Sequence, residues 1–258
     1  MKLILLLCIV GLFAGCSSDE ITGKTEAEVL YKEALDYFER SRFLLATEKL
    51  GQLKSQYPYS FFATHAELLQ ADILFKQGNF VEAAAAYLLF RDSHPKHKRL
   101  GYVTWRIAES YYNQLPSTYD RDLSSASEAV KYYNEVIRRF PGTEHAGKSN
   151  DRIIECSLML EQKEQYIADF YFKTGVYDAA RFRYLDILKN IKNDSIIEHS
   201  KLRVVESSFY MESFSDCVRY SQSFGRGSKG SSVEEYKGWE VKCRKKFLEL
   251  VSKPKDDE

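Results

Sequence analysis

The residue best placed to do chemistry is Cys16, whose thiol follows an apolar segment at the amino terminus. Lys2 precedes the apolar residues 3–13, and two small residues, Ala14 and Gly15, stand directly before the cysteine. A bilayer span needs about 20 apolar residues, so this segment is too short to cross a membrane comfortably. It has the length of a signal-peptide core.

Small residues directly before a cysteine resemble the bacterial lipobox, in which the thiol is diacylated, the peptide is cut before the cysteine and the new amino group is acylated. Phe13 departs from that motif, which prefers Leu, Val or Ile. We predict a signal peptide at residues 1–15, lipid attachment at Cys16 and export to the periplasmic face of the outer membrane, which Ser17 favours. Several acyl chains make a durable anchor. A plain secretory signal with an incidental cysteine and a short uncleaved anchor are the alternatives.

The three cysteines that remain are far apart in the sequence. They are Cys156, Cys217 and Cys243. Neither a metal site nor a disulfide framework is indicated, because no two of them are closely spaced. We expect three small buried side chains, and a bridge such as one between Cys156 and Cys243 is left open.

Other reactive side chains do not form a catalytic pattern. His94 and His97 are three residues apart, but no further histidine or cysteine is near enough to complete a metal site. Asp120 and Asp122 flank an arginine, which favours an ion-paired loop over acid–base catalysis. No phosphate-binding loop, nucleophile elbow or HExxH motif occurs. The chain is predicted not to be an enzyme, with no small-molecule substrate, no metal and no cofactor apart from the covalent lipid.

Composition favours a helical protein that binds other proteins. Lys+Arg and Asp+Glu both total 37, whereas nucleic-acid binders usually show a basic excess, so nucleic acid is not an expected partner. The chain has 18 Tyr and 16 Phe but only 13 Gly and 5 Pro, which fits helices packed through aromatic rings. Its 258 residues suit an elongated array of helix pairs.

An internal repeat supports this interpretation. Small residues and prolines recur at a spacing of 37 residues, first as Ala34, Ala46 and Pro58 and again as Ala71, Ala83 and Pro95. The spacing is close to the tetratricopeptide period of about 34 residues. Small residues let paired helices approach, and proline ends the second helix because it has no amide hydrogen. The sequence therefore predicts stacked helical hairpins.

Further units follow with variations. Nine extra residues separate the two helices of the third unit, a long helix from about Glu144 through Tyr171 leads into the fourth, and Cys217 takes the place of an alanine in the fifth. We predict an all-α fold, a tetratricopeptide-repeat-like α-solenoid of about five helical hairpins. The predicted organisation is a signal peptide at 1–15, a lipidated tether at 16–25, the solenoid at 26–224, a Gly/Ser linker at 225–232, a C-terminal amphipathic helix at 233–251 and a frayed tail at 252–258.

Inward-facing positions of the first helices are rich in rings. In such arrays the first helices line the concave surface, where large aromatic side chains suit an extended peptide. The alternative is that these rings only pack between helices. The positions are Tyr31, Leu35, Phe38, Leu68, Asp72, Phe75, Tyr102, Trp105, Glu109 and Tyr112, of which the six aromatic ones are the predicted peptide-binding groove.

These features resemble the BamD family, also called ComL or YfiO, of outer-membrane assembly lipoproteins. The resemblance covers the chain from Cys16 to about Ile191. The most specific mark is the insertion Asp120-Arg121-Asp122 between helices. The other marks are Tyr57-Pro58-Tyr59-Ser60, Pro95 and His97 followed by Tyr102, Arg139-Phe140-Pro141-Gly142-Thr143, and residues 164–171 leading into Gly175-Val176-Tyr177.

The resemblance implies a periplasmic adaptor of the β-barrel assembly machinery. Its N-terminal half would bind the aromatic-ending C-terminal segments of unfolded outer-membrane proteins, and its C-terminal half the periplasmic domains of the barrel subunit. Arg183 matches a family position implicated in that second contact, although a solvated surface charge is an equally simple interpretation. The alternative function is a periplasmic repeat lipoprotein that scaffolds cell-envelope or division enzymes.

Overall fold

A computed structural model describes residues 25–227 and 231–252. The predicted signal peptide, the lipidated Cys16, the tether up to residue 24 and the tail from residue 253 lie outside the described residues. The described part of the chain is helical and contains no strand. Its helices are α1 (Glu26–Glu39), α2 (Phe43–Gln56), α3 (Phe61–Lys76), α4 (Phe80–Ser93), α5 (Leu100–Tyr112), α6 (Ser124–Arg139), α7 (Glu144–Lys173), α8 (Tyr177–Asn190), α9 (Asp194–Tyr210), α10 (Phe214–Gly227) and α11 (Ser231–Val251).

Ten of these helices pair in chain order into five hairpins, from α1 with α2 to α9 with α10. The predicted all-α, tetratricopeptide-like fold of five hairpins is confirmed. The chain divides into two compact units, the first ending at Ser93 and the second beginning at His94. The first unit contains two hairpins, and the second contains three hairpins and α11. Among the helices within residues 25–227 and 231–252, none has the length and apolar character to cross a bilayer.

Small side chains hold the paired helices together at equivalent positions of the five hairpins. Each hairpin has one such position on its first helix and one on its second, and all ten residues are fully buried. A side chain no larger than valine or cysteine lets the two backbones approach closely. These residues are Ala34 and Ala46, Ala71 and Ala83, Ala108 and Ala129, Ala168 and Ala180, and Val205 and Cys217.

Four hairpins turn through the same backbone motif. In the second hairpin, the amides of Gly78 and Asn79 donate to the carbonyls of Phe75 and Leu74, which is the Schellman pattern. The motif needs one residue with positive φ, and Gly78 has φ +80°. Its equivalents are Ser41, Gly175 and Glu212, with φ of 58°, 78° and 58°.

The third hairpin replaces this tight turn with the predicted loop. The loop runs from residue 113 to residue 123 and lies against the middle of α7. The Lys163 ammonium donates to the carbonyls of Asp120 and Arg121, at 2.5 and 3.2 Å, and the Tyr119 ring meets Tyr166. The predicted long helix is confirmed as α7, which has 30 residues.

The predicted Gly/Ser linker is wrong at both ends, because α10 runs through Gly227 and α11 begins at Ser231. Only residues 228–230 of that segment lie outside the described residues. Packing explains the glycine: a Cβ on Gly225 would lie 3.2 Å from the Tyr236 Cβ, so Gly225 lets α11 approach α10.

The suggested Cys156–Cys243 pairing is also wrong. Cys217 on α10 and Cys243 on α11 form a disulfide, with Cα atoms 5.9 Å apart, while Cys156 is free and buried in α7. Cys217 occupies a small-residue position of the repeat, where neighbouring helices come closest. Both sulfurs lie in an apolar cluster with Val205 and Tyr236. The disulfide therefore joins the terminal helix to the last hairpin.

Candidate peptide-binding surface

Two of the predicted groove residues occupy a structural position of the repeat. Phe38 packs on Phe43 at a ring-centroid distance of 6.0 Å, and Phe75 packs on Phe80 at 5.2 Å. In both hairpins, the first ring is near the end of the first helix and the second ring begins the next helix. The same contact recurs at 5.5 Å in the last two hairpins, between Phe172 and Tyr177 and between Phe209 and Phe214. Phe38 and Phe75 thus stabilise the tight turns, and ligand contact by either ring stays a prediction.

Tyr31 belongs to a ring cluster within the first unit. It lies 5.7 Å from Phe62 and 5.8 Å from His65, measured between ring centroids. Phe61 adds a further ring, 4.3 Å from His65. Tyr31 is half-buried against the core of the two hairpins. It therefore has a packing role and keeps one accessible edge.

Tyr102 and Trp105 form a different kind of cluster, in the second unit. The Trp105 ring stacks on His145 at 4.5 Å with an interplanar angle of 14°, and Tyr102 lies 5.8 Å from His145. Arg99 lies over Tyr102 at 4.3 Å, and Arg106 lies over Trp105 at 4.9 Å and donates to the Tyr102 hydroxyl. We call these five residues the ring–arginine cluster.

Two buried nitrogens of the ring–arginine cluster have no hydrogen-bond partner within the described residues. They are Trp105 Nε1 and His145 Nδ1. Burial lowers the pKa of His145, so its ring is neutral near neutral pH. A buried donor without an acceptor costs about 1–3 kcal/mol. Both nitrogens are buried by the chain itself, so a bound peptide could reach neither of them without movement of the rings.

The repeat does not require rings at these two positions. One period earlier, the equivalents of Tyr102 and Trp105 are His65 and Leu68, and Leu68 is buried in the first unit. Rings at Phe38 and Phe75 recur because the turn needs them. Two periods earlier the equivalent of Trp105 is Tyr31, so a ring at that position is shared by the first and third hairpins.

Tyr112, the last predicted groove residue, is fixed in a polar network. Its hydroxyl donates to Glu155 at 2.6 Å and accepts from Arg152 at 2.7 Å, and the Arg152 guanidinium lies 4.1 Å from the ring centre. Burial and the bond to Glu155 raise the pKa of Tyr112. The equivalent residues, Phe38 and Phe75, pack on a ring that begins the next helix. The inserted loop leaves Tyr112 without such a ring, and Arg152 and Glu155 contact it instead.

A repeated tyrosine–carboxylate hydrogen bond was not predicted from the sequence. Tyr87 donates to Asp72 at 2.5 Å, Tyr133 to Glu109 at 2.6 Å and Tyr184 to Asp169 at 2.5 Å. Each tyrosine is fully buried on a second helix. The sequence pattern that could have predicted this bond is an acidic residue followed 15 positions later by tyrosine, or 24 positions later across the nine-residue insertion. The first hairpin has Leu35 and Leu50 at the matching positions.

Two of these buried hydroxyls, those of Tyr133 and Tyr184, stay protonated. Burial raises the pKa of Tyr133 and of Tyr184 far above the ordinary value, and the neighbouring carboxylates add to this. Although burial opposes it, hydrogen bonds from His199 and Tyr184 lower the pKa of Asp169. In the fourth hairpin the pair is a neutral tyrosine that donates to a carboxylate whose pKa is lowered. In all three hairpins the hydrogen bond fixes the inward carboxylate in position.

Arg183 lies on α8, where it is half-exposed. Its guanidinium is 3.6 Å from the Glu164 carboxylate, in a pair exposed by 40 and 45%. An ion pair so open to solvent contributes little to stability. The preceding residue, Phe182, is 70% exposed. An exposed ring beside an arginine suits a contact with another protein.

Neither of the polar pairs considered for chemistry is arranged for catalysis. The His97 Nδ1 accepts the backbone amide of Arg99 at 3.2 Å. The pKa of Asp120 is lowered by a hydrogen bond from Thr118. That of Asp122 is lowered by bonds from Ser124, the first residue of α6. Within the part of the chain that the structure describes, no three His, Cys, Asp or Glu residues are grouped to hold a metal ion.

Comparison with known proteins gives consistent matches. The family described as YfiO, outer membrane lipoprotein, matches residues 24–221. Outer membrane protein assembly factor BamD of Neisseria gonorrhoeae is 30% identical over 226 residues, which cover 81% of this chain and 84% of that protein. The protein of the same name from Rickettsia prowazekii is 27% identical over 238 residues, covering 91% and 94%. Among solved structures, the TPR2AB domain of yeast Sti1 in its pHSP90 complex is similar with a TM-score of 0.44 and 11% identity, covering 84% of this chain and 98% of that one.

Proposed function

Because the chain belongs to the YfiO family of outer membrane lipoproteins, we propose that it is a lipid-anchored periplasmic adaptor of outer-membrane β-barrel assembly. It acts by binding proteins and not as an enzyme. The ring–arginine cluster binds the C-terminal segments of unfolded outer-membrane proteins, and the half of the chain that contains Arg183 binds the periplasmic domains of the barrel subunit.

The single observation that carries the peptide-binding proposal is the ring–arginine cluster. A peptide that ends in an aromatic residue brings a ring and a free carboxylate. Tyr102 and Trp105 offer apolar faces for the ring, and Arg99 and Arg106 offer guanidinium groups that suit a carboxylate.

Alanine substitution at both rings tests this site. We expect Tyr102→Ala with Trp105→Ala to weaken binding of an aromatic-ending peptide by about 30-fold or more, equivalent to about 2 kcal/mol or more. Phe170→Ala is the matched control, since Phe170 is a 54% exposed ring of the same unit outside the cluster. Fluorescence anisotropy measures affinity, and helical circular dichroism checks the fold. Unchanged affinity in the double variant would exclude this site, and equal binding of peptides without the terminal ring would favour the envelope-enzyme scaffold.

The barrel-subunit contact is tested at Arg183. The residue is half-exposed and its ion pair is weak, so Arg183→Glu leaves the fold intact and reverses the charge presented to a partner. Co-purification of the barrel subunit from membranes should fall, whereas Arg181→Lys should keep it. Arg181 is the control because it is held inward by Ser208 and Asp216. Undiminished recovery with Arg183→Glu removes this residue from the interface.

Export is supported by the disulfide between Cys217 and Cys243, because such bonds persist in oxidising compartments such as the periplasm. The anchor is tested by Cys16→Ser, which should release the protein from the outer-membrane fraction. Mass spectrometry of the mature chain should find three acyl chains on residue 16 in the unaltered protein. A mature chain that begins elsewhere or lacks lipid would refute the anchor.

A further inference from the structure

The turn between α2 and α3 exposes two aromatic rings to solvent. Tyr59 is 101% exposed and Phe61 is 69% exposed. Their neighbours are buried differently: Phe62 packs on the core of the first unit, and Tyr57 is partly buried. Exposed rings keep apolar area in water, which burial against another surface would remove. Neither the repeat nor the ring–arginine cluster accounts for Tyr59 and Phe61.

These rings lie at the end of the first hairpin where the chain enters. The Tyr57 hydroxyl donates to the Glu26 carboxylate, so the turn lies against the first turn of α1. Thr25, whose hydroxyl accepts the Glu28 amide, caps that helix and is the point at which the segment from Cys16 arrives.

The reach of that segment limits how far this end can lie from a membrane. Cys16 and Thr25 are nine residues apart, so even a fully extended chain spans at most about 30 Å between them. The far end of α1 is a further 14 residues along, about 21 Å of helix. If a lipid is attached at Cys16, the end of the hairpin with the exposed rings is tethered closest to the leaflet.

The charges at this end are nearly balanced. Glu28 pairs with Lys32 at 2.5 Å, Glu26 accepts from Tyr57, and Lys54 is an exposed cation at the end of α2. A surface of this kind is suited to the polar interface of a bilayer and has no strong preference for anionic lipid. Tyrosine in particular concentrates at that interface, because its ring is apolar and its hydroxyl is polar.

We propose that Tyr59 and Phe61 dock on the membrane interface beside the lipidated residue 16 and set the orientation of the first unit on the leaflet. The inference rests on the lipid anchor of the proposed function. Its partner is the headgroup region of the bilayer. A peptide or another protein on these rings is the competing outcome.

The test uses the mature lipidated chain in vesicles of phosphatidylethanolamine and phosphatidylglycerol that contain a nitroxide lipid at headgroup depth. A fluorophore is attached to Tyr59→Cys. The matched control is Leu44→Cys, an 81% exposed side chain just beyond the turn at the far end of α1. Labelling is selective, because Cys156 is buried and Cys217 is bonded to Cys243.

We expect the nitroxide to quench the label at position 59 at least about twofold more than the label at position 44, since an interfacial side chain lies at headgroup depth. The difference should persist in high salt, because charge does not drive the contact. Equal quenching of the two labels in chains that float with the vesicles overturns this inference and leaves the anchor intact. Chains that fail to float refute the anchor, and the inference with it. If label 59 is unquenched while Tyr59→Ser with Phe61→Ser weakens peptide binding, the rings serve a peptide and not the membrane.

Discussion

Replacing Tyr184 by phenylalanine removes a single hydroxyl from the interior of the fourth hairpin. That hydroxyl is fully buried and donates to the Asp169 carboxylate at 2.5 Å. Hydrogen bonds to charged groups contribute about 1.5–3 kcal/mol. Asp169 keeps a second partner, His199, at 2.7 Å, so we expect the lower end of that range, about 1.5 kcal/mol. The melting temperature should then fall by about 3–6 °C.

The effect of Tyr184→Phe on stability should reverse in a chain that lacks the Asp169 carboxylate. Asp169→Leu leaves the Tyr184 hydroxyl buried without an acceptor, which costs about 1–3 kcal/mol. In that background Tyr184→Phe removes the unpaired group and should be neutral or stabilising. The first hairpin already has an apolar pair, Leu35 and Leu50, at these positions. The His199 contact is lost in both variants that carry Asp169→Leu and is kept in the other two, so it cancels in the double-mutant cycle.

Urea unfolding followed by circular dichroism measures all four variants. If Tyr184→Phe costs the same in both backgrounds, the hydrogen bond does not stabilise the hairpin and the reasoning fails. Acid gives an independent check. The folded-state pKa of Asp169 lies below its ordinary value of 3.8, so its contribution is complete above that pH and is lost as the pH falls through the folded pKa. The stability gap between the unaltered chain and Asp169→Leu should therefore narrow below about pH 4.

Two further predictions concern the turns and the cysteines. Gly78→Ala should destabilise the first unit by about 1 kcal/mol, and Ser41→Gly should stabilise it by a similar or smaller amount, because a side chain at positive φ is strained. A Cβ at Gly78 meets nothing within 4 Å, so a steric clash is not the cause. Equal stability of the two variants in urea unfolding would contradict the backbone explanation. Burial raises the pKa of Cys156 to about 11, so its thiol should resist alkylation in the native chain at neutral pH and react only in urea. Thiol titration in urea of a chain with both Cys8→Ser and Cys16→Ser should find one thiol before reduction and three afterwards, whereas three thiols before reduction would disprove the bond between Cys217 and Cys243.

The sequence was sufficient where one residue type can satisfy one geometric requirement. Alanine at the helix crossings, proline after the second helices and the nine-residue insertion all predict the observed hairpins, because close approach and helix termination depend on local chemistry. It was insufficient where two segments far apart must meet. Gly225 looks like a flexible residue until Tyr236 is placed beside it, and Cys217 has no visible partner until α11 packs on α10.

The candidate site was predictable in part for the same reason. An aromatic residue on an inward helix position predicts exposure of a ring but does not give the ring's neighbours. Tyr112 is held by Arg152 and Glu155, about 40 residues later in the chain, and Trp105 stacks on His145 across a similar separation. These contacts depend on how α7 packs against α5, which no local pattern specifies.

The repeat itself separates packing residues from binding residues. A side chain that recurs at one position in four hairpins, as Phe38 and Phe75 do, satisfies a requirement common to every turn, so its presence says nothing about a ligand. A side chain that departs from its equivalents needs another reason. Trp105 stands where the preceding hairpin has buried Leu68, and it stacks on His145 with Arg106 over its ring. Under the proposed function, the terminal ring of a peptide packs on Tyr102 and Trp105 while its carboxylate pairs with Arg99 and Arg106. Trp105→Ala should therefore weaken peptide binding strongly, and because the ring also stacks on His145, circular dichroism must show that the helices persist.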